Sequence, residues 1–169
     1  MNETPEEIEG LQRLLDASIA TRGPQLDRIA HPERRLSAKQ LVTALRGMKV
    51  LVLATVTGTG EPRTSCVDGH FLHGEWVFST DASAYKAKHI RARPSVSATH
   101  ADGERLAVFT HGRADYIAAG DGDYDELDAY YTGYYGSSPS TWGPEIVYFR
   151  LHPAWMLGFA MEASEFPSS

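Results

Sequence analysis

Residues 49–80, KVLVLATVTGTGEPRTSCVDGHFLHGEWVFST, hold three β-prone stretches divided by two turn signals. VLVLATVT is an unbroken apolar run and reads as a strand buried on both faces. GTGEP then turns the chain, RTSCVDGH begins a second strand, and His73-Gly74 leads into a third, EWVFST. This is an antiparallel meander, because connections this short only join antiparallel neighbours. The pattern resumes as SVSATHA and RLAVFTHGRADYIA around Asp102-Gly103-Glu104, then as EIVYFRLHP and AWMLGFAM. Seven short, evenly spaced strands favour a small closed barrel over a doubly wound sheet. The expected class is therefore mainly β with flanking helices (α+β), a six- to seven-stranded antiparallel barrel.

The helices announce themselves by their caps. Thr4-Pro5-Glu6-Glu7 offers a capping box, and Ile8, Leu11 and Leu15 follow at helical spacing to about residue 20. Residues 21–35 are polar and proline-punctuated, in the manner of a linker. Ser37 caps a second helix with Gln40 as its reciprocal partner; Leu41, Leu45 and Met48 face inward and Gly47 marks its end. A third helix is expected from about Ser83 to Arg93, stopped by Pro94, and a fourth over residues 121–135, followed by a loop, GSSPSTWGP. The division that results is an N-terminal helix and linker (1–36), a barrel domain (37–163) and a polar tail (164–169).

Charge and composition narrow the function. The formal net charge is −6, which argues against general nucleic-acid binding. No apolar run approaches the roughly 20 residues that span a bilayer, and the acidic N-terminus is unlike a signal peptide. The single cysteine, Cys66, excludes an internal disulfide and fits a reducing cytoplasm, where it reads as a small strand hydrophobe.

Against that acidic background, Lys86, Lys88, Arg91 and Arg93 follow one another with no acidic residue between Asp81 and Asp102. On a helix Lys86, His89 and Arg93 share one face, Lys88 and Arg91 form a second row, and Ile90 packs inward. A helix N-terminus carries unpaired N–H groups and partial positive charge, so it attracts phosphate, and Lys86 adds a full charge in the first turn. Ser79 and Thr80 end the preceding strand. Arg63 begins the neighbouring one and in a meander would approach them. Arginine, lysine, two hydroxyls and a helix start together make a phosphate site. A solvated cationic face is the plainer reading of the charge run alone.

The run from Leu53 to Ala98, LATVTGTGEPRTSCVDGHFLHGEWVFSTDASAYKAKHIRARPSVSA, resembles the pyridoxamine 5'-phosphate oxidase-like family of flavin- or deazaflavin-binding split β-barrels. The resemblance extends over about residues 45–118 and more loosely over the last strands. It implies that Arg63, Thr64, Ser65, Cys66 and Val67 line the cofactor, that Ser79 and Thr80 form the hydroxyl-bearing strand end, and that Lys86 is the phosphate-binding lysine. It also implies FMN, or alternatively the deazaflavin F420, as cofactor, hydride transfer with a small-molecule substrate, and a homodimer. One departure stands out: where tight FMN binders often carry Ser-Arg-Lys, this chain reads Ala84-Tyr85-Lys86, with Lys88 positioned to compensate. The substrate-binding Arg/His pattern of true pyridoxamine phosphate oxidases is not found near the C-terminus.

The remaining features read as structural. The seven histidines lack metal-ligand spacing and read as surface or loop residues; no metal is expected. Asp121, Asp123, Asp125, Glu126 and Asp128 do not match a calcium loop and form a solvated acidic face or a surface for a partner subunit's cations. Trp142 or Trp155 would cover the cofactor or line the substrate wall, with core packing as the equal alternative. His70, His111 and Asp68 show no partner in the sequence, so no catalytic acid or base is assigned. Two further functions stay open: a non-catalytic flavin- or haem-binding module, and a basic helix that docks an acidic partner.

Overall fold

The computed structural model of this chain describes residues 3–21, 23, 25–143 and 145–167. Six antiparallel strands close into a barrel: β1 (Lys49–Val56), β2 (Pro62–Leu72), β3 (Glu75–Asp81), β4 (Ser95–Asp102), β5 (Leu106–Ile117) and β6 (Ile146–Ala160), in the spatial order β1-β2-β3-β6-β5-β4. The helices are α1 (Pro5–Ala20), α2 (Leu26–Ile29), α3 (Ala38–Ala44), α4 (Tyr85–Ala92) and α5 (Tyr124–Tyr135).

The two predicted final strands are one. β6 runs unbroken through Pro153 because it bulges there: His111 pairs with Trp155 and Gly112 with Pro153, so Ala154 is the extra residue. A bulge is where a strand tolerates proline. Gly112 is required there, since an added Cβ would lie 2.1 Å from the His152 carbonyl oxygen.

Two seams are narrow. β2 pairs with β1 along its whole first part, Pro62 to Gly69, but with β3 only from Gly69 to Leu72. β1 meets β4 over only Val52–Ala54. The β2–β3 hairpin turns on His73 (φ 56°) and Gly74 (φ 79°), two consecutive left-handed residues, the geometry a two-residue hairpin demands. Both predicted capping boxes form, Thr4 with Glu7 and Ser37 with Gln40.

The core fills from both sides. Trp76, Phe78, Phe149 and Leu151 are fully buried inside the barrel, and the Trp76 indole N–H donates to the buried Thr110 hydroxyl at 3.1 Å. Leu11 and Leu15 of α1 join the same core, where Trp155 Nε1 donates to the Ser18 carbonyl at 3.0 Å. The C-terminal segment also docks: Phe166 is buried and the Arg105 guanidinium lies over its ring. Residues 168 and 169 of the expected polar tail, Arg22 and Pro24 of the linker, and Pro144 of the loop lie outside the described residues.

Two further expectations change. β1 is not buried on both faces: Leu51 and Leu53 point into the core, whereas Val50 and Val52 are 52% and 40% exposed. No described helix covers that side of the barrel, so the apolar run reports one inner face and one outer face left open. His70 and His100 are not surface histidines. His70 is fully buried because α5 packs across the last part of β2; its Nδ1 and Nε2 lie 3.0 and 2.9 Å from the Tyr130 and Tyr135 hydroxyls. His100 is buried with Nδ1 3.0 Å from the Val50 carbonyl. Among the described residues, no helix is long and apolar enough to cross a membrane.

Candidate functional site

The cleft that draws most chemistry together lies where α4 crosses the end of the β1–β2 hairpin. Its volume is about 500 Å³, and it is lined by Thr55, Thr57, Arg63, Thr64, Ser65, Tyr85, Lys86 and His89. That volume is within the range of about 300–1,000 Å³ in which small-molecule cofactors are held.

Each wall has a local cause. Thr55 and Arg63 are Cα partners across the β1–β2 ladder, so their side chains leave the same face of the hairpin. Thr57 closes the turn, its hydroxyl accepting the Glu61 N–H at 3.0 Å. Arg63 donates to the Glu61 carboxylate at 2.8 Å, an exposed pair that a stronger anion would readily displace. The helix is anchored from below: His89 Nδ1 lies 3.1 Å from the hydroxyl of Thr55, itself 2% exposed. Ala87 and Ile90 are buried beneath α4.

The start of α4 presents donors to this cleft. Ala84 stands at the cap position and has no side chain to accept the first-turn N–H groups. The carboxylate that precedes it in the chain, Asp81, is engaged one turn earlier. Hydrogen bonds from Ser83 hold the Asp81 carboxyl below the usual carboxylate range, and its carbonyl accepts the Ala84 N–H at 3.0 Å. The first turn of α4 thus adds its partial positive charge to Lys86 and Arg63.

Of the site residues read from the sequence, Arg63, Thr64, Ser65 and Lys86 line one cleft. Ser79 and Thr80 pair with Tyr148 and Val147 of β6, and are not among the described residues lining it. The expectation that Arg63 would meet them assumed a full β2–β3 ladder. That ladder starts only at Gly69, so Arg63 faces Thr55 of β1 instead. Cys66 is exposed on the other face of β2, beside Val52, and Val67 is buried in the core. Lys88 is not among the described residues lining the cleft and lies over the Tyr85 ring, 5.7 Å from its centroid, and Arg91 stacks on Tyr116. Arg93 lies against the β1–β2 turn, its Nη2 close to where a Cβ on Gly58 would stand.

Thr55, Thr57 and Tyr85 were missed. Thr55 and Thr57 sit in a run that reads as pure core strand. The hairpin register, counted back from GTGEP, would have placed Thr55 opposite Arg63. Trp142 is 45% exposed and packs edge-on against Tyr135, away from this cleft's lining; Trp155 stacks on His111, whose Nδ1 is 2.8 Å from the Ser97 hydroxyl. Asp128 on α5 accepts hydrogen bonds from the Tyr148 and Ser138 hydroxyls, so the acidic helix is partly tied into the barrel. Among the described residues, no three His, Cys, Asp or Glu side chains are grouped to hold a metal ion.

A closed six-stranded antiparallel barrel with two thin seams and a cation-lined cleft under the helix after its third strand is a split β-barrel. The family model described as pyridoxamine 5'-phosphate oxidase matches residues 37–158, and the chain belongs to that family. No curated protein matches it. Among solved structures it is similar to the conserved hypothetical protein Rv2991 from Mycobacterium tuberculosis, at 18% identity over 82% of this chain and 93% of that one, TM-score 0.64. It is also similar to a FAD-binding protein (mll6688) from Mesorhizobium loti, at 21% identity over 74% and 93%, TM-score 0.59. A third similar structure is an F420 reductase, at 19% identity over 66% and 91%, TM-score 0.53. At these identities the likeness shows the fold.

Proposed function

We propose that the chain is a flavin-dependent oxidoreductase that holds FMN by its phosphate in the cleft between β1, β2 and α4. The observation that carries this reading is the convergence of Arg63 and Lys86 on one cleft at an uncapped helix start. The residues present suit a phosphate: two cations, the Thr55, Thr57, Thr64 and Ser65 hydroxyls, and free N–H donors, with Glu61 the one carboxylate paired to the site among the described residues. When bound, the cofactor supplies hydride transfer with a small organic substrate. The chain's own part is to anchor the phosphate and to run the β2 backbone from Thr64 to Val67 beside the ring system.

The deazaflavin F420 is the second reading. It is favoured by Ala84-Tyr85 standing where tight FMN binders carry a serine and an arginine, and by the fold shared with an F420 reductase. Titration of purified protein with FMN and with F420, followed by absorption and fluorescence, chooses between them. Micromolar or tighter binding of one is expected, followed by reduction of the bound cofactor by NAD(P)H or oxidation of its reduced form by an organic acceptor. Binding without any turnover would leave a carrier module, and binding of neither would overturn the reading.

A homodimer belongs to the same proposal. Val50, Val52 and Cys66 share the outer face of the β1–β2 hairpin, uncovered by any described element. Light scattering is expected to give twice the 18.6 kDa chain mass, and Val52→Glu to shift the protein toward monomer. A wild-type monomer at micromolar concentration would remove the dimer.

A further inference from the structure

We infer that His89 is a third anion ligand of this cleft, and that it makes anion affinity depend on its own protonation. This rests on the proposed phosphate site and assigns it a residue that neither the family resemblance nor the cation count supplies.

The geometry is specific. His89 sits one turn after Lys86 on α4 and lines the same cleft. Its ring is fixed by one nitrogen only: Nδ1 lies 3.1 Å from Thr55 Oγ1. Thr55 is 2% exposed and belongs to the barrel wall, so the imidazole is held by a rigid strand. Nε2 has no hydrogen-bond partner among the described residues.

A threonine hydroxyl both donates and accepts, so it serves either form of the ring. When it donates to Nδ1, the neutral imidazole carries its hydrogen on Nε2, a neutral donor for the cleft. When His89 is protonated, Nδ1–H donates to Thr55 and Nε2–H becomes a charge-assisted donor, about twice as strong. The fold therefore accommodates both states at the same ring position, and only an anion in the cleft distinguishes them.

The charged groups around His89 set the sign. From its own helix come Lys86 and the phenol of Tyr85, whose ring is 6.4 Å away, and Arg93 lies at the β1–β2 turn. From β2 comes Arg63, paired with Glu61. Thr55 and Thr57 of β1, and Thr64 and Ser65 of β2, are neutral. A bound anion favours the protonated, doubly donating ring over the neutral one. Anion binding and protonation thus favour each other, and by linkage affinity falls as pH rises through the imidazole range.

The test uses inorganic sulfate, whose charge is constant across that range, because the second ionisation of a phosphate monoester falls in the same window. Imidazole resonances of the full-length protein are followed by NMR, with His89→Gln identifying the His89 signal. Sulfate is expected to bind the wild type about tenfold more weakly at about pH 8 than at about pH 5.5, and to raise the His89 titration midpoint. In His89→Gln, which keeps a donor but no charge, the dependence on pH is expected to vanish while binding persists. Persistence of the slope in His89→Gln, or an unmoved His89 midpoint, overturns the inference and leaves the site standing if Lys86→Ala still weakens binding about tenfold or more. Wild type that binds neither sulfate nor FMN at any pH overturns the site itself, and the inference with it.

Discussion

Lys86→Ala is expected to weaken FMN binding by about ten- to a hundredfold while leaving the fold intact, because a charge-assisted hydrogen bond contributes roughly 1.5–3 kcal/mol. Lys86 makes no ion pair among the described residues, so its removal leaves nothing stranded; thermal melting of the variant should match the wild type. Arg63→Ala is expected to cost less. In the free protein Arg63 is paired to Glu61, and that bond must be given up before an anion is gripped. By the same reasoning Glu61→Gln releases Arg63 and is expected to tighten binding a few-fold. Isothermal titration of the two single variants and the double variant completes the argument. If both cations touch one phosphate, their effects will not add, whereas independent effects would place them on different groups.

The second large effect concerns acid. Burial pushes the His70 imidazole down from its ordinary 6.5 to about 4. The folded protein thus refuses a proton that the unfolded chain accepts. Above pH 6.5 neither state is protonated at His70 and nothing is lost. Between pH 6.5 and 4 the unfolded state gains protons alone, and stability falls by about 3 kcal/mol in all, levelling off below the folded value. Tyr130 and Tyr135 offer the ring one donor and one acceptor, which suits neutral imidazole and not imidazolium. Glu7, held below the usual carboxylate range first by the Thr4 N–H, adds its own loss only at the acid end of this window, so the decline nearer pH 6 is not its doing. Denaturant unfolding at half-unit pH steps is expected to show the decline in wild type and its absence in His70→Leu. That variant starts roughly 1–3 kcal/mol less stable at neutral pH, since two tyrosine hydroxyls lose their partner. An equal slope in both proteins would assign the acid sensitivity elsewhere.

The barrel was legible in the sequence because alternation and turn chemistry are local: GTGEP, His73-Gly74 and Asp102-Gly103 each mark a hairpin that forms. The helix caps at Thr4 and Ser37 were legible for the same reason. What was not legible depended on pairs far apart in the chain. The unbroken β6 needs Gly112 across from Pro153, a bulge that no local pattern announces. Burial of His70 depends on an aromatic helix some 60 residues onward. In the site, Lys86 and Arg63 do line one cleft, but the reason read from the sequence was a β2–β3 ladder that stops short; the actual route is α4 crossing β1 at Thr55 and His89. Hydroxyls such as Thr55 escape notice in sequence because a threonine in a strand is ordinary until its opposite number is known.

The most direct test is a side-by-side titration of wild type and the Arg63→Ala/Lys86→Ala double variant with FMN and riboflavin, ligands that differ by the phosphate alone. Wild type is expected to prefer FMN by at least about tenfold, and the double variant to lose that preference without weaker riboflavin binding. Equal affinity of wild type for the two ligands, or a preference that survives loss of both cations, would contradict the placement of the phosphate between residues 63 and 86.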